Sequence, residues 1–221
     1  MTTENKKGFP IILIITSIIC LLPICLSLAM YNELPEQAVM QWGIDETPNW
    51  YAHKAVIAFL MPVFFVVLNA FIFFIVRADS MRKNISRAML LFVDLMIPVL
   101  SLIIVPIMLF MNLGVNLPIK IIIFCLVGVI FIFIGNYLPK NRQNVTAGIR
   151  ITWTLNNAEN WNKTHRLGGV LFIIGGLLFI VTAFLPLPNI IGIIIILAIL
   201  LIMVITPILY SFILYKKEKN N

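Results

Sequence analysis

Charge is scarce in this chain. Only 11% of its 221 residues are Asp, Glu, Lys or Arg, whereas 61% are hydrophobic. A soluble domain of this size exposes too much surface to hide so much apolar material. That excludes a water-soluble globular fold and leaves a bilayer as the solvent. Cysteine and histidine are scarce too. Cys20, Cys25 and Cys125 lie inside apolar runs with no CxxC among them, so they form no disulfide framework and read as small packing residues. His53 and His165 are too few for zinc-ligand spacing, so neither a metal nor a cofactor is expected. HExxH, GxSxG, a P-loop and the paired glutamates of some membrane proteases are all missing, which argues against an enzyme and leaves no catalytic residue to nominate. Low-complexity tracts, a large soluble domain and a recognisable inverted repeat are likewise missing.

What is there is apolar and long. Six runs, at about 9–30, 55–76, 88–111, 119–138, 167–187 and 190–214, reach the roughly 20 residues a spanning helix needs. Each must be helical, since lipid offers no partner for a backbone amide. The expected fold is therefore an all-α, polytopic transmembrane bundle of six helices. Pro23, Pro62, Pro98, Pro106 and Pro207 should kink these helices, and Pro186 and Pro188 mark a tight turn between the last two. The basic residues alternate by side. Lys6, Lys7, Arg77, Arg82, Lys83, Arg87, Lys140, Arg142, Arg150, Lys163, Arg166, Lys216, Lys217 and Lys219 fall on one side, and only Lys54 and Lys120 on the other. The positive-inside rule makes the first side cytoplasmic, with both termini inside and the 31–54 loop outside. This accounts for the net charge of +7 without nucleic-acid binding. Ser27-Leu28-Ala29 fits a small-x-small cleavage site. The preceding apolar core is longer than a signal peptide's, so the first span is expected to stay as an anchor. Two regions follow: an N-terminal one, 1–112, with the outer loop 31–54, and a C-terminal one, 113–221, with a cytoplasmic loop at 139–166.

That second loop is unusual. The stretch 135–166 is rich in asparagine and holds two of the four tryptophans, Trp153 and Trp161. Five cations, Lys140, Arg142, Arg150, Lys163 and Arg166, stand there against the single acid Glu159. Pro139 should stop the fourth helix, and Gly148 should supply a positive φ or a close backbone approach. Arg150 to Leu155 alternates and reads as extended chain at the interface. Asn156, with Glu159 three residues on, reads as a helix cap. Trp161 and His165 are expected near the headgroups. Gly168, Gly169, Gly175 and Gly176 form two pairs seven residues apart, expected on one face for close helix packing. A plain topology-setting loop accounts for this composition. So does a docking surface for anionic lipid or an acidic partner.

The order Gly135-Asn136-x-x-Pro139-Lys140, then Arg142 and Asn144, Gly148-Ile149-Arg150, Trp153-Thr154-Leu155, Trp161, Lys163-Thr164 and the glycines beyond resembles the signature of the SdpI family. These are six-helix bacterial membrane proteins known for immunity to a secreted toxic peptide. In the outer loop, Leu34-Pro35, Trp42, Pro48-Asn49-Trp50-Tyr51 and Lys54 resemble the N-terminal domain of unknown function that often accompanies it. The resemblance implies a bacterial cytoplasmic-membrane immunity protein whose partners are the bilayer, a secreted antimicrobial peptide and a cytoplasmic repressor held at the membrane. It nominates Asn136, Pro139, Arg142, Asn144, Gly148, Arg150, Trp153, Leu155, Trp161, His165 and Arg166 inside, and Pro35, Trp42, Pro48, Trp50, Tyr51 and Lys54 outside. The chain departs from the pattern in three places. Thr152 stands where the family usually has proline, Gln41 where histidine is common, and Asp45-Glu46 where a glycine follows.

One acid, Asp94, falls inside the third span. Intramembrane acids are costly and face the protein interior, so it reads as a structural partner of Arg77, Arg87 or Asn69, or as a proton or cation relay. Two rival functions stay open on the residues alone. One is an ion-coupled transporter or exporter working through Asp94. The other is a structural or lipid-binding membrane protein.

Overall fold

The computed structural model describes residues 8–43 and 47–220, so Lys6, Lys7, Asp45 and Glu46 lie outside the described residues. Among the described residues, six helices are long and apolar enough to cross a membrane: Ile11–Met30, Val56–Ala78, Arg87–Asn112, Ile119–Lys140, Ala158–Phe184 and Asn189–Lys219. Their outward side chains are large and greasy. Val67, Phe71, Phe184 and Ile190 are each more than 60% exposed, a surface that only lipid covers without penalty. The protein is a multi-pass membrane protein, and the chain divides into two compact units.

The first unit comprises residues up to Val76 together with Leu91–Leu117. Its first span is two helices, α1 (Gly8–Leu21) and α2 (Pro23–Met30), because Pro23 has no N–H to continue the ladder. Beside the break, Ser101 Oγ donates to the Cys20 carbonyl at 2.8 Å. A turn lower, Asn69 Nδ2 donates to Thr16 Oγ1 at 2.9 Å. The remaining spans are α3 (Met61–Ala78), opened by a π-turn over Val56–Leu60, and α4 (Arg87–Asn112), with Pro98 and Pro106 inside it. Asp94 is buried on α4 and engaged in a polar interaction.

Two short stretches of the 31–54 loop are strands. They fold as an antiparallel hairpin of β1 (Gln37–Trp42) and β2 (Pro48–His53), in register Gln37↔His53, Ala38↔Ala52 and Val39↔Tyr51, with a bulge before Gln41↔Trp50. Valine, tryptophan and tyrosine favour such a pleated surface. Asn112, the last residue of α4, binds the free edge of β1: its Oδ1 accepts from the Val39 N–H at 2.6 Å and its Nδ2 donates to the Val39 carbonyl at 3.0 Å. Lys54 is buried beside the hairpin, 2.9 Å from Glu36 Oε1 and 4.7 Å above the Tyr31 ring.

The hydrogen bond and charge of Lys54 hold the Glu36 carboxyl below the usual carboxylate range, with His53 adding to the effect. A depressed acid contributes stability above its unfolded value of about 4.3, and loses it as pH falls through the lower folded value. Acidification below about pH 4 should therefore loosen the hairpin and shift the emission of Trp42 and Trp50. Glu36→Gln, which mimics the protonated acid, should show the shifted emission already at neutral pH and lose the acid step.

The second unit holds residues 77–90 and everything from Pro118 on. It contains α5 (Ile119–Tyr137), the short α6 (Thr152–Asn156), α7 (Ala158–Phe184) and α8 (Asn189–Asn220). Pro139 ends α5 in a single 3-10 turn, Leu138–Lys140. Backbone meets backbone between α5 and α7. A Cβ on Gly135 would sit 2.6 Å from the Gly169 carbonyl, and one on Gly128 would sit 2.6 Å from the Gly176 carbonyl. The expectation for the four α7 glycines is corrected here. Adjacent residues on a helix point about 100° apart, at 3.6 residues per turn, so each pair splits between two faces. Gly169 and Gly176 meet α5, whereas Gly175 accommodates Met203 of α8 and Gly168 lies against Ile149 and Pro207. Phe124, Phe131, Phe172 and Phe179 fill the space beside the glycine seam with edge-on ring contacts.

Candidate functional site

At the loop end of the second unit, α7 runs past the bilayer. Its 27 residues make about 40 Å of helix against a hydrocarbon core of about 30 Å. The polar first turns, Ala158 to Arg166, organise the chain between α5 and α7. Asn157, not Asn156, is the cap: its side chain accepts from the Glu159 and Asn160 amides, because Asn157 is the last extended residue before α7. The expected extended run at 150–155 is also corrected. Ile151 is extended, but Thr152–Asn156 form α6. Thr154 nucleates that turn, its Oγ1 accepting from the Ile151 amide and donating to the Ile149 carbonyl at 2.8 Å.

Trp161 and His165 do not face headgroups; both are fully buried. One turn apart on α7, their rings stack with centroids 3.8 Å apart and planes 20° apart. The indole Nε1 donates to the Asn141 carbonyl at 2.9 Å. His165 Nε2 accepts from the Ile149 amide at 3.0 Å, which places the ring hydrogen on Nδ1, 2.8 Å from the Trp161 carbonyl. Gly148, at φ +136°, lies directly on these rings, and a Cβ there would overlap His165 Nε2. Asn144 is wholly buried and shapes the turn, accepting from the Thr146 and Ala147 amides. Asn141 Oδ1 accepts from the Ser86 amide, and Asn84 accepts from the Arg142 amide while donating to the Gln143 carbonyl. A second clasp joins α7 to α8: Asn160 Nδ2 donates to the Ser211 carbonyl, and its Oδ1 accepts from Thr164 and Ser211. Buried polar groups are generally bonded, and this segment bonds most of its own to backbone and side chains of the same unit, leaving Asn141 Nδ2 and Trp153 Nε1 buried without a partner among the described residues. The result is a folded polar clasp.

The charges point the other way. Lys140, Arg142, Arg150, Lys163 and Arg166 are all exposed. Arg150 is anchored by donating to the Val145 carbonyl, and Lys163 pairs with Glu159 at 2.6 Å. Asn136, in the last turn of α5, and Pro139, just beyond it, are exposed, with Pro139 beside Gly169. Trp153 is half-buried against Phe212 and Tyr215 of α8, with Leu155 exposed beside it. Thus neutral side chains build the scaffold and cations cover it, an arrangement suited to anions.

In the first unit, Pro35, Pro48, Trp50 and Tyr51 are exposed, Trp42 is half-buried and Lys54 is buried. Sequence reasoning missed Asn84, Ser86, Asn112, Asn160 and Ser211, the α5 glycine Gly128, and the packing role of Gly135, which was read only as part of the motif. Two signals could have found some of them. Asn112 and Ser211 are polar residues in or at the end of greasy runs, and Gly128 and Gly135 share the seven-residue spacing of the α7 glycines.

These features define a class: multi-pass membrane proteins with a hairpin after the first span and a cation-covered polar clasp before the fifth. Residues 140–211, which take in the clasp, α7 and most of α8, match the SdpI/YfhL protein family. Residues 18–66, which take in the hairpin, match a domain of unknown function, DUF1648. Over 204 residues, 92% of this chain and 96% of the relative, the sequence is 29% identical to a Bacillus subtilis (strain 168) protein named "Immunity protein SdpI". The chain thus carries an SdpI/YfhL region in its second unit and is similar along most of its length to that immunity protein. No solved structure matches it.

Proposed function

We propose that this protein gives a bacterial cell immunity to a secreted toxic peptide, acting in the cytoplasmic membrane with both termini inside. The observation that carries the reading is the near full-length likeness to an immunity protein, together with the SdpI/YfhL match over residues 140–211. The distribution of cations supports the orientation, since the clasp and the 77–90 segment lie on the basic side and the hairpin on the other. Expression in a sensitive bacterium should raise the peptide concentration needed to stop growth. Unchanged sensitivity at confirmed membrane abundance would contradict the proposal.

The second half of the proposal concerns signalling. The clasp presents Arg142, Arg150 and Arg166 outward on a scaffold built mainly from neutral side chains, which suits capture of an acidic repressor surface. A small helix–turn–helix repressor encoded beside this gene should collect at the membrane when the peptide is present. Arg142→Glu with Arg150→Glu should abolish that capture at unchanged membrane abundance and melting temperature. Capture that survives the double reversal would sink this half and leave immunity standing.

A further inference from the structure

The two edges of the hairpin are not alike. The Lys54 amide donates to the Glu36 carbonyl at 3.0 Å, so Glu36 and Lys54 are a hydrogen-bonded pair of the ladder. Antiparallel pairs alternate, so Ala38↔Ala52 bonds inward, while Val39↔Tyr51 and Gln37↔His53 turn their amides and carbonyls outward. Val39 confirms the parity, because both of its outward groups are taken by Asn112. The β1 edge is thereby closed. Tyr51 is in the same phase on β2, and no described residue bonds its outward amide and carbonyl. β2 is exposed at Pro48, Asn49, Trp50, Tyr51 and His53, with Trp50 55% and Tyr51 49% accessible. Successive side chains face opposite ways, so these two rings flank the open edge above and below.

An open strand edge is a template for another strand. Its charge selects the strand. The 31–54 segment carries Glu33, Glu36, Asp45 and Glu46 against Lys54, inside a protein whose net charge is +7. Lys54 is buried and bound to Glu36, and the Glu33 and Glu36 side chains are exposed. We propose that the outer edge of β2 is a strand-addition site for an extended cationic peptide segment, paired to the Tyr51 backbone and gripped by Trp50 and Tyr51. For the identity of the natural peptide this rests on the immunity reading. Its chemistry does not.

The test uses the full chain in phosphatidylcholine nanodiscs and an end-blocked Lys-Val decapeptide of alternating sequence, with empty discs subtracted. Wild type should bind the probe and slow amide exchange in the 48–53 segment. Tyr51→Ala removes a ring but keeps the outward amide, and should weaken binding by about threefold. Tyr51→Pro removes that amide without touching a ladder bond, and should weaken binding by about tenfold more. A probe N-methylated at alternate residues should not bind wild type, which tests the edge without any substitution in the protein. Equal binding by the proline and alanine variants, binding of the N-methylated probe, or a Tyr51 amide already protected without peptide would each overturn the proposal; the last would mean that lipid covers the edge. Binding without protection of cells contradicts immunity and leaves strand addition standing. Protection undiminished in Tyr51→Pro does the reverse.

Discussion

Gly135→Leu should abolish folding of the second unit. A Cβ at residue 135 meets the Gly169 carbonyl at 2.6 Å and the Ile173 amide at 2.8 Å, both backbone atoms of α7. Neither can rotate away, so α5 and α7 must separate and lose the phenylalanine packing beside the seam. Overpacking costs typically 1–3 kcal/mol where side chains can adjust, and about that or more where only backbone can move. In lipid no hydrophobic force between helices compensates, since packing itself drives association. The variant should run as an aggregate on size-exclusion chromatography in mild detergent, and its membrane abundance should collapse. Gly176→Leu should behave alike, as its Cβ meets the Gly128 carbonyl at 2.5 Å. Gly192→Leu is the control: nothing lies within 4 Å of a Cβ there, so it should melt like wild type.

Trp161→Ala should open the clasp and leave the helices packed. The substitution removes a fully buried ring, its stack on His165 and the hydrogen bond to the Asn141 carbonyl. Burial alone makes such a truncation worth about 3–5 kcal/mol. Because the lost contacts lie within the loop, the cost should appear as local opening. Trypsin should then cut at Arg142 and Arg150 about a hundredfold faster, a factor that about 3 kcal/mol of lost local stability supplies. Trp161→Phe keeps a stacking ring and loses only the donor, and should fall between. Gly148→Ala should resemble Trp161→Ala, because the new Cβ falls on His165 Nε2 at a φ that L residues rarely adopt. Cleavage at the wild-type rate in all three would mean that the segment is not held by this stack.

The parts of this protein that are legible in its sequence are those that answer to lipid. Long apolar runs fix where helices cross, and Pro23, Pro139 and Gly148 act through their own backbone chemistry wherever the chain places them. What the sequence conceals depends on partners distant in the chain. Nothing near Trp161 says that its ring is buried under Gly148, since an interfacial tryptophan and a buried one have the same neighbours in sequence. Asn112 reads as a helix end until the β1 edge it closes is seen. The hairpin was hidden by its shortness, with strands of six residues each in a chain otherwise built of helices. The glycine pairs on α7 were visible, but their division between α5 and α8 follows from the helical angle between neighbours and from Gly128 and Gly135 on the facing helix.

The central claim is immunity, and membrane potential tests it most directly. A sensitive bacterium expressing this protein should be exposed to a secreted peptide toxin of the SdpI-protected kind while a potentiometric dye is followed. Trp161→Ala and Tyr51→Pro should run beside it at matched membrane abundance. Cells with the wild-type protein should hold their potential at peptide concentrations that depolarise cells without it. Depolarisation at the same concentration in both would contradict the account.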